Sequence, residues 1–328
     1  MQKQPPVVLA VDVGGTTIAA GAVTAGGEVL LEERVPTQRD GPGRAVECLM
    51  SLLDTVRDGA ERLGHRITGI GAGVPGPVDT ATGRICDPVP HVPELAGRAL
   101  AADLRERFGV PAFVDNDVNA LALAEWRFGA GRGARSLVVL ATGTGLGAGI
   151  VLGGRLVRGA AGFGGELGHT PVKFDGGPCW CGGRGCLAIY ASGRGIAEAA
   201  QARVAGHADT ALLRAAGGDP LAINAPLVFR LAAEGDPPAV AVVEEACQAL
   251  GAMIGTIVNG LNPDVVVITG GVAASLAKLE TRILKAAGEY AFPRALATTR
   301  VTIAPSDKRT SMRGAAALVL YETEEAAR

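Results

Sequence analysis

Neither sign of charge dominates this sequence: 31 basic and 33 acidic side chains leave a formal charge of −2, and lysine and arginine form no run. Such a balance offers no electrostatic field for nucleic acid. Long apolar runs are missing too. No window holds eighteen consecutive apolar residues free of charge, so no membrane span is expected. The opening Met1-Gln2-Lys3-Gln4-Pro5-Pro6 leads straight into an apolar stretch and lacks the pattern of a secretory signal. Cysteine is scarce, six in 328 residues. Three of them, Cys48, Cys86 and Cys247, are scattered and read as small core residues. That usage excludes a disulfide framework and fits a reducing cytoplasm.

The other three cysteines are not scattered. Cys179, Cys181 and Cys186 lie within eighteen residues of His169, with Gly182, Gly183 and Gly185 between them. Thiolates and an imidazole suit tetrahedral Zn²⁺, and four protein ligands leave no open position, so the metal is expected to be structural. The glycines permit the tight fold that brings Cys181 and Cys186 to one ion. Glu166 stands three residues before the histidine, in Gly164-Gly165-Glu166-Leu167-Gly168-His169, so the metal clip is expected to fix a site containing Glu166. A ligated imidazole keeps one nitrogen for a hydroxyl. His65, His91 and His207 have no such partners and are left unassigned.

At 328 residues the chain accommodates two α/β domains. Val7 to Val13, Ile18 to Val23 and Val29 to Val35 read as an antiparallel meander, since no helix separates them. A helix follows from about Gly43 to Leu63, with Val46, Leu49, Leu53, Val56 and Ala60 at helical spacing. Next come a strand at Ile67 to Val74, a helix at Leu95 to Phe108 and a strand at Val110 to Val114. A second half begins with a helix at Asn119 to Phe128. It continues with strands at Leu137 to Leu140 and Ala148 to Leu152, helices between Ser192 and Glu234, and a long helix from about Pro238 to Leu261. A strand at Asp264 to Thr269, another at Arg300 to Ile303 and a final helix complete it. The repeated order predicts two related α/β domains with a cleft between them. The division is expected at 1–117 plus about 305–328 for a small domain, and 118–304 for a large domain carrying the zinc site.

Several segments carry chemistry. Asp12-Val13-Gly14-Gly15-Thr16-Thr17 ends a strand, where amides and hydroxyls can hold phosphate and Asp12 can meet Mg²⁺ or its waters. An ordinary hairpin turn is the other reading. Thr142-Gly143-Thr144-Gly145 joins two strands, so it fails as a dinucleotide fingerprint, which needs a following helix. It remains a phosphate-loop candidate. Gly270-Gly271, a turn from strand to helix, could admit a flat base or sugar. Asp117, beside Asp115, Asn116 and Asn119 at a strand mouth, reads either as the N-cap of a helix starting at Val118 or as a base that takes a proton from an attacking hydroxyl.

Taken together these segments resemble the ROK family (repressors, open reading frames and kinases), glucokinases above all. The shared features are Asp12-Val13-Gly14-Gly15-Thr16, Gly73-Val74-Pro75-Gly76-Pro77-Val78-Asp79 and Asn116-Asp117-Val118-Asn119-Ala120. Thr142 to Gly147, Gly165 to His169, Cys179 to Cys186 and Ala191-Ser192-Gly193 extend the match over nearly the whole chain. The resemblance implies an actin-like (ribonuclease H-like) ATPase fold of two α/β domains, ATP with Mg²⁺, and a homodimer. It implies that Asp117 takes the proton of a sugar 6-hydroxyl during attack on the γ-phosphate. Asn116, Glu166 and His169 would hold ring hydroxyls, with the Gly76 backbone nearby.

One departure bears on substrate. Where the family's glucokinases carry a sugar-gripping glutamate after Cys186-Leu187, this chain has Ala188. Glucose is one expected substrate. A ring differing near that end is the alternative, such as an amino sugar (kanosamine) or a C7 cyclitol. A sugar-responsive repressor is disfavoured, because only eleven residues precede Asp12 and no basic patch is present. A non-catalytic sugar sensor rests on Ala188 alone.

Overall fold

The computed structural model describes residues 4–86, 89, 92–205, 210–304 and 309–327, so His91 and His207 lie outside the described residues. The chain opens with β1 (Pro6–Val13), β2 (Thr17–Thr24) and β3 (Val29–Pro36), then α1 (Ala45–Arg62) and β4 (Arg66–Val74). A small hairpin of β5 (Val78–Asp79) and β6 (Arg84–Ile85) precedes α2 (Leu100–Phe108), β7 (Ala112–Asn116) and α3 (Asp117–Arg127). Then come β8 (Leu137–Thr142), β9 (Leu146–Leu152), β10 (Arg155–Leu156), α4 (Ala188–Ala191), α5 (Gly193–Val204), α6 (Ala211–Ala215) and α7 (Ala225–Ala233). The chain closes with α8 (Pro237–Leu261), β11 (Val265–Thr269), α9 (Ala273–Ala277), α10 (Glu280–Tyr290), α11 (Pro293–Thr298), β12 (Arg300–Ile303) and α12 (Thr310–Ala326).

Two compact units emerge: Met1–Gly133 with Gly149–Gly165 and Asp307–Arg328, and Ala134–Ala148 with Glu166–Ser306. The division expected after residue 117 falls inside the first unit, at the first residue of α3. The reason is packing: α3 lies so close to α12 that a Cβ on Gly314 would stand 2.5 Å from the Ala120 carbonyl.

The first unit holds a sheet of order β3-β2-β1-β4-β7. Its meander is antiparallel, whereas β1, β4 and β7 run parallel. Alternation along β1 explains its apolar run from Val7 to Val11, since successive side chains face opposite sides of a sheet covered on both. Val7, Leu9, Val11 and Val13 pack with Leu49, Leu53 and Val56 of α1. Val8 and Ala10 pack with Met312, Ala315 and Val319 of α12. Full burial of each such leucine or valine contributes about 1.5–3 kcal/mol. Gly71 permits that second layer, because a Cβ there would stand 1.8 Å from the Ala315 carbonyl oxygen.

In the second unit β8, β11 and β12 are parallel neighbours. β9 runs on into the first unit, where it pairs with β10. Helix α8 is long and apolar enough to cross a membrane, yet 61 % of its most apolar window is buried in this fold. Its Gly251 and Gly255 let α10 approach until a Cβ would meet Ala286 at 2.4 Å and Tyr290 at 2.6 Å.

Several expected boundaries shift. The helix anticipated over Leu95–Phe108 is a 3₁₀ turn at Pro93–Leu95 and, separately, α2. Gly97, at φ 72°, breaks the run, and its N–H donates to Ile85. β7 reaches Asn116, two residues beyond the anticipated end, so Asp115 and Asn116 belong to the strand.

Candidate active site

Parallel strands carry their functional groups at the carboxyl ends, and here the first unit gathers its acids. Asp12 pairs with Gly73 across β1 and β4, and Gly73 pairs with Asp115 across β4 and β7. The missing side chain of Gly73 leaves room for two of the expected residues. A Cβ there would lie 3.5 Å from Asp12 Oδ1 and 3.4 Å from Asp117 Cα.

Burial raises the Asp12 carboxyl above the usual carboxylate range, against the lowering effects of a hydrogen bond with Ser311 and the charge of Arg34. A carboxylate kept where its own charge is unfavourable suits a hard cation such as Mg²⁺. The neighbouring turn is largely self-satisfied. Gly14 N–H donates to the Thr17 carbonyl at 2.9 Å, and Thr37 Oγ1 donates to the Gly14 carbonyl at 2.7 Å. Gly14 therefore shapes the turn and does not offer its amide, while Thr16 and Thr17 are exposed.

Asn116, not Asp117, caps α3. Its side-chain oxygen accepts from Val118 N–H at 2.9 Å and Asn119 N–H at 3.3 Å. Its amide group donates to the Gly76 carbonyl at 3.1 Å, which joins two expected substrate residues. Most of the hydrogen-bonding capacity of Asn116 is thus spent inside the protein. Asp117 is the first residue of the helix, partly buried, and its Oδ1 accepts from Val118 N–H at 2.8 Å. A helix N-terminus stabilises an ionised carboxylate there.

In the second unit the donor atoms of His169, Cys179, Cys181 and Cys186 all lie within 4.8 Å of one another. Bonds of about 2.3 Å to sulfur and about 2.0–2.1 Å to nitrogen put tetrahedral edges near ~3.8 Å for S···S and ~3.6 Å for S···N. Cys181 and Cys186 sulfurs are 3.8 Å apart, and Cys179 Sγ is 3.6 Å from His169 Nδ1. The donor set fits Zn²⁺, with Nδ1 on the metal side and Nε2 left over. Burial first, then hydrogen bonds and charge from Cys179 and Cys181, push the Cys186 thiol up to about 12. The Gly183 N–H is the main influence holding Cys181 below the ordinary thiol range. Gly185 turns the knuckle at φ 67°, where a Cβ would stand 1.8 Å from the Lys173 carbonyl. Glu166 opens the 3₁₀ turn Leu167–His169 and is exposed.

The Cys₃His knuckle leads to the phosphate-loop candidates. Trp180 stacks on Arg194, whose Cζ is 4.2 Å from the ring centroid. Arg194 Nε donates to Glu198 at 2.6 Å, and Trp180 Nε1 donates to the same carboxylate at 3.3 Å. The start of α5 holds the hairpin: Gly193 N–H donates to the Gly143 carbonyl at 2.8 Å, and Arg194 N–H donates to the Thr144 carbonyl at 3.1 Å. Thr142 is buried and its hydroxyl donates to the Ala191 carbonyl at 2.8 Å, a structural role. Gly270 adopts φ 103° over Thr142, where a Cβ would lie 2.4 Å from the Thr142 carbonyl. Val272 N–H donates to that same oxygen at 3.0 Å. Thr142–Gly145 and Gly270–Gly271 are therefore one assembly, with Thr144, Gly145 and Gly271 exposed.

Ala188 is buried at the start of α4, and its carbonyl accepts from Ser192 Oγ at 2.6 Å. Sequence reasoning missed Arg158, which pairs with Asp115 at 2.7 Å, and the Trp180–Arg194–Glu198 contact. It also missed a cavity of about 550 Å³ lined by Phe229, Arg230, Val240, Ser275, Lys278 and Arg282. Apart from Trp180, which stands between Cys179 and Cys181, none belongs to a glycine-rich or metal-spaced motif, which was the signal available.

The ROK family profile matches residues 8–322. The glucokinase of Halalkalibacterium halodurans is 37 % identical over 289 residues, 87 % of this chain and 86 % of that protein. The N-acetyl-D-glucosamine kinase of Shigella flexneri is 32 % identical over 272 residues, 80 % and 83 % of the two chains. Among solved structures, the ROK hexokinase of Thermus thermophilus superposes with a TM-score of 0.81 at 34 % identity, covering 97 % of this chain and 99 % of that one. A ROK glucokinase of Streptomyces griseus in complex with glucose and AMPPNP gives 0.74 at 30 % identity, covering 94 % and 98 %. With its two α/β units of the actin-like ATPase kind, this chain belongs to the ROK family.

Proposed function

We propose that this chain is an ATP-dependent kinase that phosphorylates the primary hydroxyl of glucose or a glucose-like ring. The observation that carries the reading is the convergence of Asp12 and Asp117 on Gly73 at the carboxyl ends of parallel strands. Kinship with sugar kinases, one solved with AMPPNP, supports the nucleotide. Asp117 accepts the proton of the attacking hydroxyl and orients its oxygen. Asp12 holds Mg²⁺ or its waters, and that cation, when bound, neutralises charge on the transferring phosphoryl group. The exposed parts of the 14–17 turn, the 142–145 hairpin and Gly270–Gly271 hold phosphate and nucleoside, and the cavity beside α9 suits the base. Glu166, Asn116 and His169 serve the sugar hydroxyls, Asn116 with its one remaining N–H. Zinc is structural on this reading, and the active form is a homodimer.

Ala188 leaves the sugar identity open in one direction. Alanine offers no acceptor, so a ring carrying an amine or a carbocycle at that end, kanosamine or a C7 cyclitol, is the second reading. A coupled ADP-release assay against glucose, mannose, N-acetylated and amino sugars and cyclitols tests both. Turnover on one class with kcat/KM well above the rest is expected. Sugar binding without ADP release from any of them would replace the kinase with a sensor.

A further inference from the structure

We infer that Arg158 is a positioning residue for Asp117, acting through the buried carboxylate of Asp115; the inference rests on Asp117 being the proton acceptor. The Asp115 side chain is only 2 % exposed, yet it takes three donors. Its Oδ1 accepts from Asn116 N–H at 2.7 Å and from Asn119 Nδ2 at 2.9 Å, and its Oδ2 accepts from Arg158 Nε at 2.7 Å. Among the described residues Arg158 is the cation paired with it.

Arg158 is itself fixed on several sides. It follows β10, pairs with Glu322 of α12, and lies 5.7 Å above the Tyr321 ring. The Tyr321 hydroxyl accepts from Leu156 N–H at 3.1 Å, which ties the same short segment to α12. A planar guanidinium held this way presents its fork in one orientation.

The consequence reaches Asp117 in two steps. Asp115 orients the Asn116 amide and the Asn119 side chain, and Asn116 then caps α3 through Val118 and Asn119. Asp117 stands between clamped neighbours on both sides. Without Arg158 a buried carboxylate has lost its counter-charge and must protonate or rotate, and either change loosens the donors it now orders. A displacement of the reacting carboxylate by about 1 Å is enough to cost about 100-fold in turnover.

The test measures kcat and KM for ATP and the preferred acceptor in full-length Arg158→Met, Arg158→Lys, Arg155→Met and Asp117→Asn, with melting temperatures alongside. Arg155 is a nearby exposed arginine whose pair with Glu325 spans 3.5 Å. Arg158→Met is expected to lower kcat about 100-fold with both KM values within about twofold. Arg158→Lys should recover part of that loss, and Arg155→Met should match the parent. Should Arg158→Met fail to fold, Glu322→Gln decides, because it frees one side of Arg158 and leaves Asp115 paired. A several-fold fall in kcat at constant KM supports the inference. Parental kcat in Arg158→Met, or in Glu322→Gln where the former does not fold, overturns it. Parental turnover in Asp117→Asn instead removes the base assignment on which it rests.

Discussion

Zinc removal should weaken nucleotide binding, although no zinc ligand belongs to the phosphate hairpin. The connection is the stack of Trp180 on Arg194, which is held to Glu198 while its own backbone N–H grips Thr144. Losing the metal frees the knuckle and with it Trp180. The stack is worth about 0.5–1 kcal/mol at an exposed site. The Arg194–Glu198 pair, with side chains 51 % and 46 % exposed, adds only about 0.2–1 kcal/mol after solvent screening. Together about 0.7–2 kcal/mol, they correspond to a roughly threefold to thirtyfold rise in Kd. Calorimetric titration of AMPPNP into zinc-loaded protein, EDTA-dialysed protein and zinc-loaded Trp180→Ala measures it. Both perturbed forms should lose affinity within that range, and metal analysis should give about one zinc per loaded chain and nearly none in Cys179→Ser. Unchanged affinity in zinc-loaded Trp180→Ala would refute the strut.

Asp12→Asn should raise the melting temperature of the nucleotide-free protein at neutral pH, because burial holds the Asp12 carboxyl above its ordinary range. The folded state binds that proton more tightly, so stability declines as pH rises from the ordinary carboxylate pKa to the raised one, and the penalty persists above it. The same variant should lose Mg²⁺-dependent turnover; a lower melting temperature would contradict the burial argument. Ala188→Glu should shift the ratio of kcat/KM toward glucose at the expense of amino or cyclitol acceptors. An unchanged ratio would remove position 188 from substrate choice.

Regular elements were legible wherever one physical signal dominated. The apolar spacing of α1 is the buried stripe Val46, Leu49, Leu53 and Val56, and the β1–β3 meander followed from the absence of room for a helix. The Cys₃His cluster was legible because ligand spacing is local. Capping was less so: at Asn116-Asp117 either side chain could cap, and only the backbone shows that Asn116 does. The spent donors of Gly14 and the hydroxyl of Thr142 were illegible for the same reason, since motif letters do not say which groups are already satisfied. Arg158 meets Asp115 across 43 positions, and Glu322 another 164 away, separations at which pattern carries no information.

Replacing the Asp117 carboxylate by an isosteric amide tests the central claim most directly. Asp117→Asn keeps the size of the side chain and removes the proton acceptor. The account predicts that sugar-dependent ADP release falls by about 10²–10⁴-fold while AMPPNP and sugar still bind and the melting temperature holds. Undiminished ADP release from a folded Asp117→Asn protein would contradict it.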